Sequence, residues 1–235
     1  MALPKLNNGP QYEMAIPSSG KSVRYRPFLV REQKALMLAS ESSDNKVMFR
    51  SVLDVLEQCV EDKIYQNQLT SFDVEYMFLQ MRAKSVGESA EILIKCEECG
   101  ADNPISINLE EIKVDVKNVD KKVQLTDDIA LELNYPSYLD MINSGIGDGD
   151  LNADQMFEVM HSCVKYIETP DERIDIKDVD KKEVVEFIES MNSKQFEKIQ
   201  EFISDIPRLS HTVKFDCKSC EHKNEITVEG ISNFL

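Results

Sequence analysis

"KCEECGADNPISI", residues 95–107, is answered near the other end of the chain by "DCKSCEHKNEITV", residues 216–228. Each stretch carries Cys-x-x-Cys, and each places Asn at the same offset behind it, Asn103 and Asn224. Apolar residues alternate before the cysteines, Ile92 and Ile94 in the first copy and Val213 and Phe215 in the second. They alternate again behind them, as Ile105 and Ile107 and as Ile226 and Val228. A period of two is the mark of a strand, so each cysteine pair is expected in a tight turn between two strands. Such a turn points two sulfurs at one spot. Two such turns supply four soft ligands in a tetrahedron, the donor set that suits zinc. Cys96, Cys99, Cys217 and Cys220 are therefore the expected ligands of a structural zinc ion in a discontinuous zinc ribbon. The competing reading is two unrelated redox or free-thiol pairs. A catalytic zinc would need an open coordination position, which four cysteines do not leave. His222 could stand in for a ligand, but the set of four makes that unnecessary. Cys59 and Cys163 fall on helical apolar stripes and read as core thiols.

The remainder of the composition fits a globular protein. The chain has 235 residues, 42% of them apolar, with only 8 Gly and 8 Pro. That is enough for one or two domains with a hydrophobic core. No apolar run approaches the roughly 20 residues that span a bilayer. The N-terminal stretch lacks the apolar centre of a signal peptide, so a reducing cytosol is expected, where cysteines serve as thiols or metal ligands. A formal net charge of −16 opposes nucleic-acid binding, which needs clustered cations. Positive charge gathers locally at Lys5, Lys21, Arg24 and Arg26, against Glu13, in a stretch that also holds Pro4, Pro10, Pro17 and Pro27. Those prolines discourage helix, so residues 1–28 are expected to be an extended docking arm.

Residues 29–90 read as an N-terminal helical domain. Phe49, Leu53, Leu56 and Val60 form one helical stripe, and Val74, Met77, Phe78 and Met81 another, with Thr70 or Ser71 as a cap and Gly87 as a stop. Residues 91–113 are the first half of the ribbon. Residues 114–208 are expected to be an inserted module. It begins with a hairpin that runs from Val123 and Leu125 through Asp127-Asp128 to Ile129, Leu131 and Leu133. Helices follow, with a stripe of Met156, Met160, Cys163 and Ile167, a capping box at Asp180 and Glu183, and a last helix from Ser193 to a stop at Pro207. Residues 209–235 are the second half of the ribbon and a tail. The expected class is α+β: two helical blocks joined through a discontinuous four-Cys zinc ribbon and a short antiparallel β segment.

Other signals are weak. "GIGDGD", residues 145–150, has no leading strand and no following Lys-Ser/Thr, so it is not read as a phosphate loop. Asp148, Asp150 and Asn152 begin like a calcium loop, but Ala153 and Val159 stand where Gly and Glu are required. His161 reads as a helix-surface or core residue. No nucleophile–base grouping can be assembled, so no enzymatic activity is expected.

Several stretches together carry a resemblance: "IPSSGKSVRYRPFLVREQKALMLA", "FDVEYMFLQMRAKSVGE" leading into "CEEC", "LELNYPSYLDMI", and "FIESMNSKQFEKIQEFISDIPRLSHTVKFDCKSC" leading to "EGISNFL". Over nearly the whole chain the sequence resembles the baseplate hub and hub-assembly proteins of T-even-type contractile-tailed bacteriophages. The resemblance implies a non-enzymatic structural or assembly protein. Its partners would be other baseplate hub or tape-measure proteins, and its place the host cytoplasm during assembly or the virion tail baseplate. The family supplies no catalytic residues to carry over. The alternative from another class is a zinc-ribbon adaptor for nucleic acid or the transcription machinery, which the acidic balance opposes.

Overall fold

A computed structural model describes residues 9–42, 44–116, 119–144 and 152–230. In chain order the elements are β1 (Tyr12–Ala15), β2 (Ser22–Tyr25), α1 (Val30–Ser40), α2 (Asn45–Cys59), α3 (Ser71–Ser85), β3 (Ser89–Lys95), β4 (Asp102–Asn108) and β5 (Lys113–Val114). They continue as β6 (Lys122–Gln124), β7 (Ala130–Leu133), α4 (Tyr138–Asn143), α5 (Ala153–Cys163), β8 (Val164–Glu168), β9 (Arg173–Asp175), α6 (Lys181–Glu189), α7 (Ser193–Ser204), β10 (Leu209–Asp216) and β11 (Lys223–Glu229). Helices mix with small antiparallel sheets, the expected α+β class. The chain divides into two compact units, one of residues 1–66, 72–115 and 208–235, the other of residues 67–71 and 116–207.

The first unit contains both cysteine turns. Its β3 and β4 form one hairpin, in register from Ser89 opposite Asn108 to Lys95 opposite Asp102. β10 and β11 form the other, from Ser210 opposite Glu229 to Asp216 opposite Lys223. The two hairpins belong to separate sheets. β3–β4 stands alone, while β10 takes β5 on its free edge, with Leu209 opposite Val114. What they share is a core. Ile94, Ile107 and Val213 pack with Leu79 and Ala83 of α3, with Leu109, Ile112 and Leu209, and with the half-buried Ile92, Ile105, Phe215, Ile226 and Val228. The alternating residues that mark the strands are thus the ones that meet between the sheets. The β5–β10 pairing also fixes the insertion, because the chain leaves this unit beside the strand by which it returns.

Three helices complete the unit. α3 is the most deeply buried, with Phe72, Val74, Met77, Phe78, Leu79 and Met81 all within the core. α2 turns Val52, Leu53, Leu56 and Cys59 inward and is capped by Asp44, whose carboxylate accepts from the Lys46 amide at 2.9 Å. At the head of α1, Glu32 folds back so that its carboxylate accepts from the Leu29 amide at 2.7 Å. Glu32 is buried, and Arg26 at 3.0 Å and Arg31 at 2.6 Å pair with it. Burial alone would raise the Glu32 carboxyl. The hydrogen bonds from Arg26, Arg31 and the Leu29 amide outweigh it and bring the pKa down to about 2.

Through its described part, residues 9–28, the N-terminal stretch is not the extended arm that its prolines suggest. β1 and β2 pair as a hairpin, Tyr12 opposite Tyr25 and Ala15 opposite Ser22. Met14, Ile16, Val23 and Tyr25 are buried. Tyr25 bridges to Val60, and the Arg26 amide donates to the Cys59 carbonyl at 3.0 Å. The amide and hydroxyl of Ser18, in the hairpin turn, donate to the Asp73 carboxylate at 2.8 and 2.7 Å. The prolines exclude helix but leave room for two short strands between them. Lys5, Pro4 and the rest of residues 1–8 lie outside the described residues, as do the "GIGDGD" stretch at 145–150 and residues 231–235.

The second unit is built on a four-stranded antiparallel sheet in the order β6-β7-β8-β9. The expected hairpin is its first half, with Val123 opposite Leu131. The second half is hidden in the sequence. α5 ends at Cys163 and β8 starts at the next residue, so Ile167 belongs to a strand opposite Leu131 and not to the helix stripe of Met156, Met160 and Cys163. Val164, Tyr166 and Ile167 favour a strand, and pairing with β7 overrides the helical spacing. Leu131, Leu133, Met160, Cys163, Val184, Ile188 and Ile199 form the interior. Tyr135 stacks on Phe202 and Phe157 tilts against Phe196, each at 5.7 Å between ring centres. Asp180 caps α6 through the Lys182 amide, and α7 is capped by Asn192 in a reciprocal box with Gln195, one residue before the expected Ser193.

Candidate metal centre

The two Cys-x-x-Cys turns are built alike. In each, the first cysteine's amide donates to the carbonyl five residues on, Cys96 to Ala101 at 2.9 Å and Cys217 to His222 at 2.8 Å. The first cysteine's carbonyl accepts from the residue after the second cysteine, Gly100 or Glu221, both at 2.9 Å. That residue takes a left-handed backbone, φ 69° at Gly100 and φ 59° at Glu221. Glycine adopts it freely. Glu221 accepts a cost of about 1–2 kcal/mol, which the surrounding turn must override.

The asparagines lock the turns to each other. Asn103 Nδ2 donates to the Ala101 carbonyl at 2.9 Å, and Asn224 Nδ2 to the His222 carbonyl at 3.0 Å, so each side chain braces its own turn. Each Oδ1 then reaches across. Asn103 accepts from the Lys218 amide at 3.0 Å, and Asn224 accepts from the Glu97 amide at 3.0 Å. Both side chains are buried, so all these groups would be costly to leave unpaired. The repeated Asn is legible in the sequence. Its crosswise bond is not, because that depends on the two turns meeting.

The result brings all four predicted cysteines together. Their Sγ atoms lie within 4.8 Å of one another, with Cys96 to Cys220 and Cys99 to Cys217 both at 3.7 Å. Cys96 and Cys217 are buried, while Cys99 and Cys220 are exposed. The arrangement favours charge on the buried pair. The Cys99 amide, followed by the Glu98 amide and Asn224, lowers the Cys96 thiol against the opposing effect of burial. The Ser219 amide leads in bringing Cys217 down to about 6, helped by the Cys220 amide and by Asn103. At Cys220 the His222 amide pulls downward, but the sulfurs of Cys99, Cys217 and Cys96 together with burial prevail and push it up to about 12. Four sulfurs this close ionise together only when a cation offsets their mutual repulsion. The set could therefore hold a metal ion. His222 contributes its carbonyl. Cys59 and Cys163 are buried elsewhere, their thiols pushed up to about 11 and about 12 by burial, as inert core thiols are.

Two cysteine hairpins whose turns clasp each other make this a four-thiol double-knuckle site. The chain belongs to the T4 bacteriophage base plate protein family, which matches residues 9–235. It is 22% identical over 226 residues to the baseplate hub assembly protein gp26 of Enterobacteria phage T4, across 96% of this chain and 98% of that protein. No solved structure matches. Among the described residues, no helix is long and apolar enough to cross a membrane.

Proposed function

We propose that this chain is a non-enzymatic component or assembly factor of a phage tail baseplate hub, acting through contacts with other baseplate proteins. The observation that carries the reading is similarity along nearly the full length of a hub assembly protein, with both chains covered almost end to end. The partners would be other hub or tape-measure proteins, met in the infected cell's cytoplasm, with the virion baseplate as a further location. Deleting the gene from the phage and imaging the particles tests this. Tails should stop before a complete hub forms, and normal infectious particles would overturn the role.

Within that role, Cys96, Cys99, Cys217 and Cys220 hold one structural zinc ion. A tetrahedron with Zn–S bonds of about 2.3 Å has edges of about 3.8 Å. The two 3.7 Å sulfur pairs match that edge. Amides directed at the sulfurs, such as Ser219 to Cys217 at 3.4 Å, stabilise thiolate. Four thiolates leave no coordination position for substrate, so the metal's work is to hold the fold. Protein purified without added metal should contain one zinc per chain. Cys59→Ser and Cys163→Ser should retain it, and Cys217→Ser should lose it. Absence of zinc, or a disulfide within either turn, would overturn the assignment.

A further inference from the structure

Two close sulfur contacts cross from one cysteine turn to the other. Cys96 meets Cys220 at 3.7 Å, and Cys99 meets Cys217 at 3.7 Å. Each pair joins one buried cysteine, Cys96 or Cys217, to one exposed cysteine, Cys220 or Cys99. The buried sulfurs are turned towards the opposite hairpin. Asn103 Nδ2 donates to Cys217 Sγ at 3.7 Å, and Asn224 hydrogen-bonds to the Cys96 sulfur. The turns are kept in this register by the crosswise bonds from the Lys218 and Glu97 amides, which involve no sulfur.

We propose that the four cysteines are also a redox-modification site, which peroxide converts into two disulfides between the turns, Cys96–Cys220 and Cys99–Cys217. A disulfide is about 2.05 Å long, so from 3.7 Å each sulfur of a pair moves by about 0.8 Å. The oxidant reaches the exposed sulfur first. One oxygen of hydrogen peroxide passes to the Cys99 or Cys220 sulfur, giving a sulfenic acid, and the other leaves as water. The buried partner across the interface then attacks that sulfur. The S–S bond forms, the S–O bond breaks, and the hydroxyl leaves as a second water with the partner's thiol proton. Each disulfide thus takes two electrons from two thiols and consumes one peroxide. A bond within a turn would leave the turns joined by hydrogen bonds alone. The crossing bonds join residues 124 and 118 positions apart, so they hold the clasp when the sulfurs no longer serve as metal ligands. The site therefore stays shut in oxidising as well as in reducing surroundings. The inference goes beyond the metal assignment and does not rest on it, because the asparagine bonds set the register of the sulfur pairs.

The test oxidises the purified full-length protein with a small molar excess of hydrogen peroxide, blocks the remaining thiols with N-ethylmaleimide, and maps disulfides by mass spectrometry without reduction. Trypsin and Glu-C cut at Lys218 and at Glu97 and Glu98, which separates the two cysteines of each turn and distinguishes all three ways of pairing four cysteines. The expected fragments link Cys96 to Cys220 and Cys99 to Cys217. The oxidised chain should run faster than the reduced one on a denaturing gel until dithiothreitol is added, because long loops have been closed. Bonds within each turn, bonds of Cys96 to Cys217 and of Cys99 to Cys220, or sulfinic and sulfonic acids without any disulfide overturn the proposal. Zinc content measured before peroxide is added reads the metal assignment separately. Crossing disulfides in a chain that held no zinc support the proposal and overturn only the metal assignment.

Discussion

At the scale of single residues, the asparagines do what the cysteines alone cannot. Asn103 and Asn224 tie the two turns together by accepting, through their side-chain oxygens, from backbone amides of the opposite turn, bonds that need no metal. Asn103→Ala and Asn224→Ala should therefore leave all four sulfurs in place but weaken metal retention about 10- to 100-fold, the usual loss when an outer-shell partner is removed. A chelator competition assay reads this directly, and unchanged retention would show that the crosswise bonds are incidental. Glu32 makes a separate prediction. Its folded pKa of about 2 lies below the ordinary 4.5. Its contribution to stability is thus full above the ordinary value and fades as pH falls through the folded one. Glu32→Gln should cost about 1–3 kcal/mol near neutral pH. The thermal midpoints of variant and parent should converge towards about pH 2, and a gap independent of pH would assign the loss to packing.

At the scale of elements, the N-terminal hairpin is part of the fold. Val23 and Tyr25 are buried, and Asp73 receives two hydrogen bonds from its turn at Ser18. Asp73→Ala should destabilise the first unit by about 1–3 kcal/mol and raise amide exchange at residues 12–25 first. Native exchange there would return the hairpin to the status of a loose arm. The contrast shows what each pattern could disclose. The cysteine turns were readable because Cys, the offset Asn and a period of two agree at every level. The first hairpin was not, since its strands have only four residues each and its docking group, Asp73, lies far along the chain. β8 escaped because Cys163 and Ile167 are four apart, a spacing that serves a helix as well as it hides the change to a strand. The thiol site itself was legible down to its four residues. The separation of its hairpins into two sheets was not, because the edge of β10 is taken by Val114 and Lys113, a two-residue strand with no sequence signature.

At the scale of the whole molecule, the β5–β10 pairing and the proposed metal join the two chain segments that flank the insertion in sequence. Structural zinc contributes on the order of 10 kcal/mol, comparable to the stability of a typical domain. Cys217→Ser should therefore expose the amides of β3, β4, β10 and β11 to exchange. The second unit has its own interior around Leu131, Met160 and Ile199 and should keep its protection. Loss of protection throughout would show a single cooperative structure, and none anywhere would show that the ion is dispensable. Hydrogen exchange on the full chain distinguishes these outcomes.

The distance between the knuckles also sets a clock. Cys99 and Cys217 are 118 positions apart in the chain. At roughly 5–20 residues per second, a ribosome takes roughly 6–24 s to travel from one to the other. During that interval the first turn has left the exit tunnel as a two-sulfur half-site, while the inserted unit is synthesised and can fold. Capture of the proposed ion by the complete set would therefore be one of the last events of biogenesis. A nascent chain released before Cys217, by a nonsense codon or a stalled ribosome, has no complementary turn to clasp.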